Sequence, residues 1–176
     1  MSRKEAENML KDLFPWLIDP TLPTMLIRTI LAILFGGLIG YDRNTRGAAA
    51  GMRTHILVCL GAMMCMSTGQ YAAMIYSGID ATRIGAQVVS GIGFLGAGSI
   101  IVTRGTRIHG LTTAAGLWAS SAIGLAIGIG FYEGAIIGTL GIVFTERMLR
   151  RVSKSIKVQG TDDVHVIEDD PKDIVE

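Results

Sequence analysis

Long, nearly uncharged apolar runs alternate with short charged segments along this chain, and the alternation predicts membrane-spanning helices. A water-soluble helix would instead place polar residues along one of its faces. Each run is close to the ~20 residues that cross ~30 Å of hydrocarbon. The predicted spans cover residues 23–41, 54–76, 84–103, 111–132 and 131–149. The predicted fold class is therefore an all-α integral membrane protein with five transmembrane helices.

The fifth predicted span has the shortest uncharged run. The twelve residues from Gly134 to Thr145 separate Glu133 from Glu146. At 1.5 Å per residue these twelve cover only about 18 Å. The segment crosses the bilayer only if both glutamates lie near the interfaces.

The distribution of basic residues predicts the orientation, because cytoplasmic loops carry the excess of Lys and Arg. Five spans place on one side the bases Arg43, Arg46, Arg53, Arg104, Arg107, Arg147, Arg150, Arg151, Lys154 and Lys157. The other side carries Arg3, Lys4, Lys11 and Arg83. Four spans would put the last basic group opposite the other two. We therefore predict an outer amino terminus and a cytoplasmic carboxyl terminus.

The two ends of the chain differ from the spans in composition. Residues 1–22 carry mixed charge with apolar residues at helical spacing, which predicts a short interfacial helix. The mixed charge does not fit a signal peptide. The five-helix domain covers 23–150. Residues 151–176 turn acidic after Gly160, which predicts a short cytoplasmic tail with no fold of its own.

Glycine is unusually frequent, with 23 residues in 176. Small residues four apart let membrane helices approach closely. Such stripes comprise Thr112, Gly116, Ser120, Gly124 and Gly128 in the fourth span, Gly36 and Gly40 in the first, and Gly134 and Gly138 in the fifth. They predict packing within the bundle, with a homodimer as the alternative. Cys59 and Cys65 lie inside an apolar run and are expected to be buried apolar residues.

Gly91, Gly93 and Gly96 form a GxGxxG pattern inside the third span. The pattern alone suggests a dinucleotide-binding turn, but no strand–turn–helix unit surrounds it. Two interpretations stay open for the Gly91–Gly98 segment. One is close packing of small residues. The other is a broken helix whose exposed backbone groups line an ion site.

Arg28 is the charged residue that lies well inside a predicted span. It either snorkels to the headgroups or pairs inside the bundle. Gln87 is predicted at a similar outer depth, and Asp80 and Glu133 at the outer ends of their helices. Asp42 ends the first span beside Arg43. It is expected to pair with Arg43 or Arg53, or to bind a cation.

The sequence contains no catalytic motif such as HExxH or GxSxG. The serines of the third and fourth spans have no predicted His or Lys base at matching depth. His55 and His109 are predicted to be interfacial and structural, and Thr112 and Thr113 to cap the fourth helix. We therefore expect a protein that is not an enzyme. Basic patches with interleaved aromatics are also missing, so nucleic acid is not an expected partner.

Four motifs occur in order along residues 25–150. They are Gly36-Gly-Leu-Ile-Gly-Tyr-Asp-Arg43, Gly51-Met-Arg-Thr-His55, Gly91-Ile-Gly-Phe-Leu-Gly-Ala-Gly98, and Gly110-Leu-Thr-Thr-Ala-Ala115 followed by Trp118. Together they resemble the MgtC/SapB family of bacterial membrane proteins. The resemblance implies a multi-pass protein of the bacterial inner membrane, linked to magnesium limitation and, in pathogens, to virulence through survival inside host cells.

Carried over by position, the resemblance implies a set of functional residues. The family motif positions are Arg28, Gly40, Asp42, Arg43, Gly51, Arg53, Thr54, Gly91, Gly93, Phe94, Leu95, Gly96, Gly98, Thr112, Thr113 and Trp118. Gln87 joins the candidates because of its depth. Two features depart from the family: Asp42 stands where Glu is usual, and the soluble carboxyl-terminal domain of many members is expected to be absent.

Two functions follow as hypotheses. The first is a membrane protein that supports adaptation to low Mg²⁺ by modulating a membrane partner. The second is an ion or small-solute transporter with a broken-helix site in the third span. No span has a carboxylate at its centre, which disfavours Mg²⁺ permeation. We expect no resident cofactor, with Asp42 the sole weak candidate for Mg²⁺. The expected partners are the lipid bilayer, a membrane protein and a second copy.

Overall fold

The computed structural model describes residues 19–44, 48–103 and 107–155. Within these ranges, the side chains of Asp42, Asn44, 101–109 and 149–155 are not described. The predicted interfacial helix at 1–22 lies almost wholly outside the described residues. So does most of the acidic tail at 151–176. Both stay predictions.

Five helices form where the hydrophobic pattern predicts them. The elements in chain order are α1 (Leu22–Asn44), α2 (Met52–Ile75), α3 (Arg83–Gly98), strands β1 (Ile101–Thr103) and β2 (Arg107–His109), α4 (Leu111–Ile129) and α5 (Tyr132–Ser155). Among the described residues, three segments are long and apolar enough to cross a membrane: Leu22–Tyr41, Met52–Ile75 and Leu111–Ile129. The helical fold class is thereby confirmed, and the described residues contain three candidate membrane spans.

Helix α3 differs from the predicted third span in two ways. It ends at Gly98 rather than Thr103, because the Ser99 hydroxyl donates to Gly96 O at 2.8 Å and the next residues are β-branched. Residues Ile101–Thr103 pair antiparallel with Arg107–His109 in a small hairpin that was not predicted. The helix also runs without interruption through Gly91–Gly98, so the broken-helix interpretation is wrong.

Two glycines with positive φ set the ends of α4. Gly110 precedes the helix with φ +88°, and Gly130 follows it with φ +88°. Only glycine adopts this left-handed backbone without steric cost. The Phe131 N–H then bonds to Ala126 O at 2.8 Å, which closes the turn. Helix α5 therefore starts directly after α4 and packs along it.

Helix α4 lies at the centre of the bundle and contacts the other four helices. Its glycines make the close approach possible. A Cβ at Gly128 would stand 2.6 Å from Met63 O of α2. A Cβ at Gly36 of α1 would stand 2.9 Å from His55 O. The predicted packing within the chain is confirmed where an added Cβ would meet another helix, at Gly36, Gly40, Gly116, Gly124, Gly128 and Gly138. Thr112 is exposed, and a Cβ at Gly134 would meet Phe131, three residues before it.

An apolar layer fills the middle of the bundle. Its buried residues are Ala32, Ile39, Cys59, Met63, Ile123, Ile127 and Ala135. Buried polar side chains lie on both sides of this layer along the helix axes. Arg28 of α1 and Ser67 of α2 lie toward one end, and Arg43 and His55 of the same helices lie toward the other. The layer therefore separates two polar clusters, which are the candidate sites.

Candidate functional site

The Arg28 cluster comprises Arg28, Ser67, Gln70, Tyr132 and the carbonyl of Gly128. Arg28 is fully buried, with 0% of its surface exposed. Its Nη1 donates to Gln70 Oε1 at 2.8 Å, to Gly128 O at 2.7 Å and to Ser67 Oγ at 3.1 Å. Its Nε donates to Tyr132 Oη at 3.4 Å. One guanidinium thus connects α1 with α2, α4 and α5.

The Ser67 hydroxyl strengthens this cluster because it is both a hydrogen-bond acceptor and a hydrogen-bond donor. Its hydroxyl accepts from Arg28 Nη1 and donates to Gly128 O at 3.0 Å. Hydrogen bonds from a charged donor contribute about 1.5–3 kcal/mol, more than neutral ones. The carbonyl of Gly128 is reachable because this position carries no side chain. The cluster therefore connects four helices through hydrogen bonds in an apolar interior.

The burial of Arg28 excludes snorkelling, one of its two predicted roles. The predicted bonding partners are also wrong. Gln87 and Glu133 have exposed side chains. Asp80 accepts instead from the Thr82 N–H at 2.8 Å and the Thr82 hydroxyl at 2.7 Å. These bonds hold the pKa of the Asp80 carboxyl below its ordinary value.

The Arg43 cluster comprises Arg43, His55, Thr113, Ser120 and Glu146. Arg43 is 7% exposed, and its Nη2 donates to the Thr113 hydroxyl. His55 Nδ1 lies 2.8 Å from Ser120 Oγ, and both residues are fully buried. The cluster draws on α1, α2, α4 and α5, like the first cluster.

Gly116 leaves open a space that the His55 ring and the Glu146 carboxylate both border. A Cβ at Gly116 would stand 3.2 Å from His55 Cε1 and 3.4 Å from Glu146 Oε1. Within the described part of the chain, three buried atoms of the cluster make no hydrogen bond: Arg43 Nε, His55 Nε2 and Glu146 Oε2. Arg43 and Glu146 each make a further interaction in the structure. Since buried polar atoms are nearly always hydrogen-bonded, His55 Nε2 marks this cluster as unusual.

The structure corrects two expectations at this cluster. His55 is fully buried inside the bundle, and its interfacial depth in the membrane stays a prediction. A histidine does lie beside a serine of the fourth span, because His55 Nδ1 faces Ser120 Oγ. No side chain caps α4 in the described structure, and Thr113 binds Arg43 instead. The His–Ser pair does not form an accessible nucleophile, since both side chains are fully buried.

The remaining predicted residues lie outside both clusters. Exposed side chains are those of Arg53, Thr54, Gln87, Phe94, Thr112 and Trp118. Gly91, Gly93 and Gly98 are exposed, and a Cβ at any of them would meet no atom within 4 Å. A Cβ at Gly96 would stand 3.6 Å from Ala114 Cβ. The close-packing interpretation of this glycine segment therefore holds at Gly96 alone of these four.

The described residues also bear on metal binding. They include no group of three or more His, Cys, Asp or Glu side chains placed to hold a metal ion. The side chain of Asp42, the weak metal candidate, lies outside the described part of the structure.

Sequence reasoning missed Ser67, Gln70, Tyr132, Ser120 and Glu146 as members of polar clusters. A signal was present for two of them. Ser67 and Gln70 are three residues apart, so they share a face of α2. Two polar side chains on one face of an apolar span indicate an interior partner. Gly128 contributes its backbone carbonyl, and the residue type alone does not indicate that this carbonyl accepts a hydrogen bond from Arg28.

The chain is similar to known bacterial proteins over most of its length. The profile of the MgtC family matches residues 29–155. YhiD of Escherichia coli strain K12 is 42% identical over 146 residues, 77% of this chain and 67% of that protein. Protein MgtC of Brucella abortus strain 2308 is 41% identical over 129 residues, 73% of this chain and 52% of that protein. Protein MgtC of Salmonella typhimurium strain 14028s is 40% identical over 150 residues, 85% of this chain and 58% of that protein.

These similarities cover the bundle rather than the full length of the relatives. The match spans between about half and two thirds of each of those proteins. No solved structure is significantly similar to this fold. The family profile includes every residue of both clusters except Arg28, which lies one position before it. With the profile and the curated relatives in agreement over most of its length, this chain belongs to the MgtC family.

Proposed function

We propose that this chain is a multi-pass protein of the bacterial inner membrane that supports growth at low Mg²⁺ by modulating a membrane partner. The names of its relatives support the connection with magnesium. The K12 relative is named as a candidate magnesium transporter, and the Brucella and Salmonella relatives are named MgtC. A role in virulence and a homodimer stay predictions for this chain.

The observation that favours modulation over conduction is the burial of two arginines between the helices. Arg28 and Arg43 lie on either side of the apolar layer. A divalent cation 10 Å from a guanidinium is repelled by about 3 kcal/mol at an effective dielectric constant of about 20. A path for Mg²⁺ through the bundle would meet this repulsion twice. The transporter hypothesis also loses the broken helix on which it relied.

Flux and growth together test this proposal. Purified protein in liposomes should carry no more Mg²⁺ than protein-free liposomes, read with an enclosed Mg²⁺-sensitive dye. A strain lacking every family member should grow poorly at low Mg²⁺, and the wild-type gene should restore growth. Mg²⁺ flux that rises with protein content, and rises further when Arg43→Leu removes the repelling charge, would make the chain a transporter. Undiminished growth of the strain would remove the magnesium role.

The proposed topology has five spans, with an outer amino terminus and a cytoplasmic carboxyl terminus. Helix α3 has 16 residues, about 24 Å, and α5 has 24 residues, about 36 Å. Both pack against α4, which is a candidate span, and this packing supports the proposal that they lie at the same depth. The basic residues after α1 and in α5 support the cytoplasmic assignment of those ends.

Fusions at the carboxyl terminus test the topology. A fluorescent protein fused after Glu176 should fluoresce, and alkaline phosphatase at the same point should be inactive. The opposite result would leave an even number of spans or an inverted orientation.

A further inference from the structure

A groove of about 480 Å³ lies between α2 and α3, above α4. Helices α2 and α3 both pack on α4 but diverge from each other. Gly61 lines one wall and Gly91 the other. A Cβ at either glycine would meet no atom within 4 Å, so the space between the walls is open. The remaining lining is mostly apolar and includes Leu57, Cys65 and Leu95.

The dimensions of the groove suit an acyl chain better than a helix. Its α2 wall runs from Thr54 to Cys65, which is about 16 Å along the helix. A helix of about 10 Å diameter and this length fills about 1,200 Å³, more than twice the volume of the groove. A methylene has roughly the volume of a water molecule, about 30 Å³. The groove therefore holds on the order of sixteen methylenes.

One end of the groove carries a positive charge. Thr54 lines that end, and Arg53 beside it is exposed. Arg53 and Leu57 are four residues apart on α2, so they share a face of the helix, and Leu57 lines the groove. The first turn of α2 adds the partial positive charge of a helix amino terminus. An acidic headgroup at this end would meet complementary charge.

We propose that this groove binds an acyl chain of one acidic phospholipid, with its phosphate against Arg53. The assignment gives a common role to residues of two motifs that lie outside both polar clusters. Gly51-Met-Arg-Thr-His55 supplies Arg53 and Thr54, and Gly91–Gly98 supplies Gly91 and Leu95. The lipid site goes beyond the proposed magnesium role and does not depend on it.

The primary test counts retained lipid by native mass spectrometry of the full chain. The probes are phosphatidylglycerol and phosphatidylcholine with identical acyl chains. We expect the wild type to retain one phosphatidylglycerol in preference to phosphatidylcholine. Gly91→Leu should lower that retention at least fivefold, because its side chain fills the groove. Gly93→Leu is the matched control, since Gly93 is equally exposed on α3 but does not line the groove.

Arg53→Gln tests the headgroup separately from the acyl chain. It should lower the preference for phosphatidylglycerol about fivefold, the factor expected for one basic residue at an anionic surface. Total lipid retention should change less. Equal retention of the two lipids by the wild type would overturn the proposal. Equal losses in Gly91→Leu and Gly93→Leu would also overturn it, as would a second copy of the chain in place of the lipid.

A measurement on the wild type keeps the proposal testable if Gly91→Leu fails to fold. Cys65 is half-buried and lines the groove, whereas Cys59 is fully buried. Phosphatidylglycerol added to detergent-purified protein should slow N-ethylmaleimide labelling of Cys65 at least threefold. The same amount of phosphatidylcholine should slow it less. Labelling that is unaffected by either lipid would show that no acyl chain occupies the groove.

Discussion

The Arg28 cluster and the Arg43 cluster have the same plan but differ in hydrogen bonding. Each places an arginine of α1 among polar groups of α2, α4 and α5, and in the Arg28 cluster the group from α4 is the backbone carbonyl of Gly128. Among the described residues, the buried side-chain atoms of the Arg28 cluster all have hydrogen-bond partners. The Arg43 cluster contains His55 Nε2, a buried atom that makes no hydrogen bond. The first cluster is built to hold helices together, and the second retains capacity for a further interaction.

The largest expected effect comes from removing the guanidinium of the first cluster. Arg28→Leu should lower the free energy of unfolding by about 3 kcal/mol, because bonds from a charged donor to several buried acceptors are lost. Arg53→Leu replaces an exposed arginine and should change it by less than about 0.5 kcal/mol. Thermal unfolding in detergent, followed by circular dichroism, measures both. A wild-type stability in Arg28→Leu would refute the clamping role of the Arg28 cluster.

A methyl group added at a glycine of each cluster sharpens the contrast. Gly128→Ala would place Cβ 2.6 Å from both Met63 O and Met66 Cβ, and should cost about 2 kcal/mol. Gly116→Ala would place Cβ 3.2 Å from His55 Cε1, which a small ring movement relieves. It should cost less than about 1 kcal/mol. The same unfolding measurement applies, and equal losses would show that the two clusters are packed alike.

Two fully buried serines give a smaller, matched comparison. Ser67→Ala removes bonds to Arg28 and to Gly128 O and should cost about 2 kcal/mol. Ser120→Ala removes the bond to His55 and should cost about 1 kcal/mol. Ser120→Ala should restore growth at low Mg²⁺ less well than its loss of stability alone explains. If growth instead follows stability in both variants, the Arg43 cluster has no separate functional role.

The smallest expected effect is at Asp80, which belongs to neither cluster. Hydrogen bonds from Thr82 lower the pKa of its carboxyl in the folded state. Its contribution is therefore present above the unfolded pKa and is lost as the pH falls through the folded pKa. Asp80→Asn should be slightly less stable than the wild type at pH 7, and the difference should vanish in acid. A difference that persists at low pH would assign the effect to something other than this charge.

The helices of the fold could be predicted from the sequence because helices that cross a bilayer need long apolar runs, and such runs are evident in this sequence. Arg28 stood out for the same reason, as a charge inside an apolar run. The partners of Arg28 could not be recognised in the same way, because Gly128 contributes a backbone carbonyl and Ser67 and Gln70 are uncharged. The end of α3 was missed because hydropathy does not distinguish apolar helix from apolar strand at Ile101–Thr103.

The contact between His55 and Ser120 has a consequence for where a proton resides. If the Ser120 hydroxyl donates to Nδ1, the imidazole is the tautomer with hydrogen on Nε2, a buried donor lacking an acceptor. If Nδ1 donates instead, Nε2 holds a lone pair in the interior. Rotation of one hydroxyl and a change of tautomer interconvert the two arrangements with the heavy atoms in place. The ¹⁵N chemical shifts of this ring would therefore follow events at the Arg43 cluster that leave the helices unmoved.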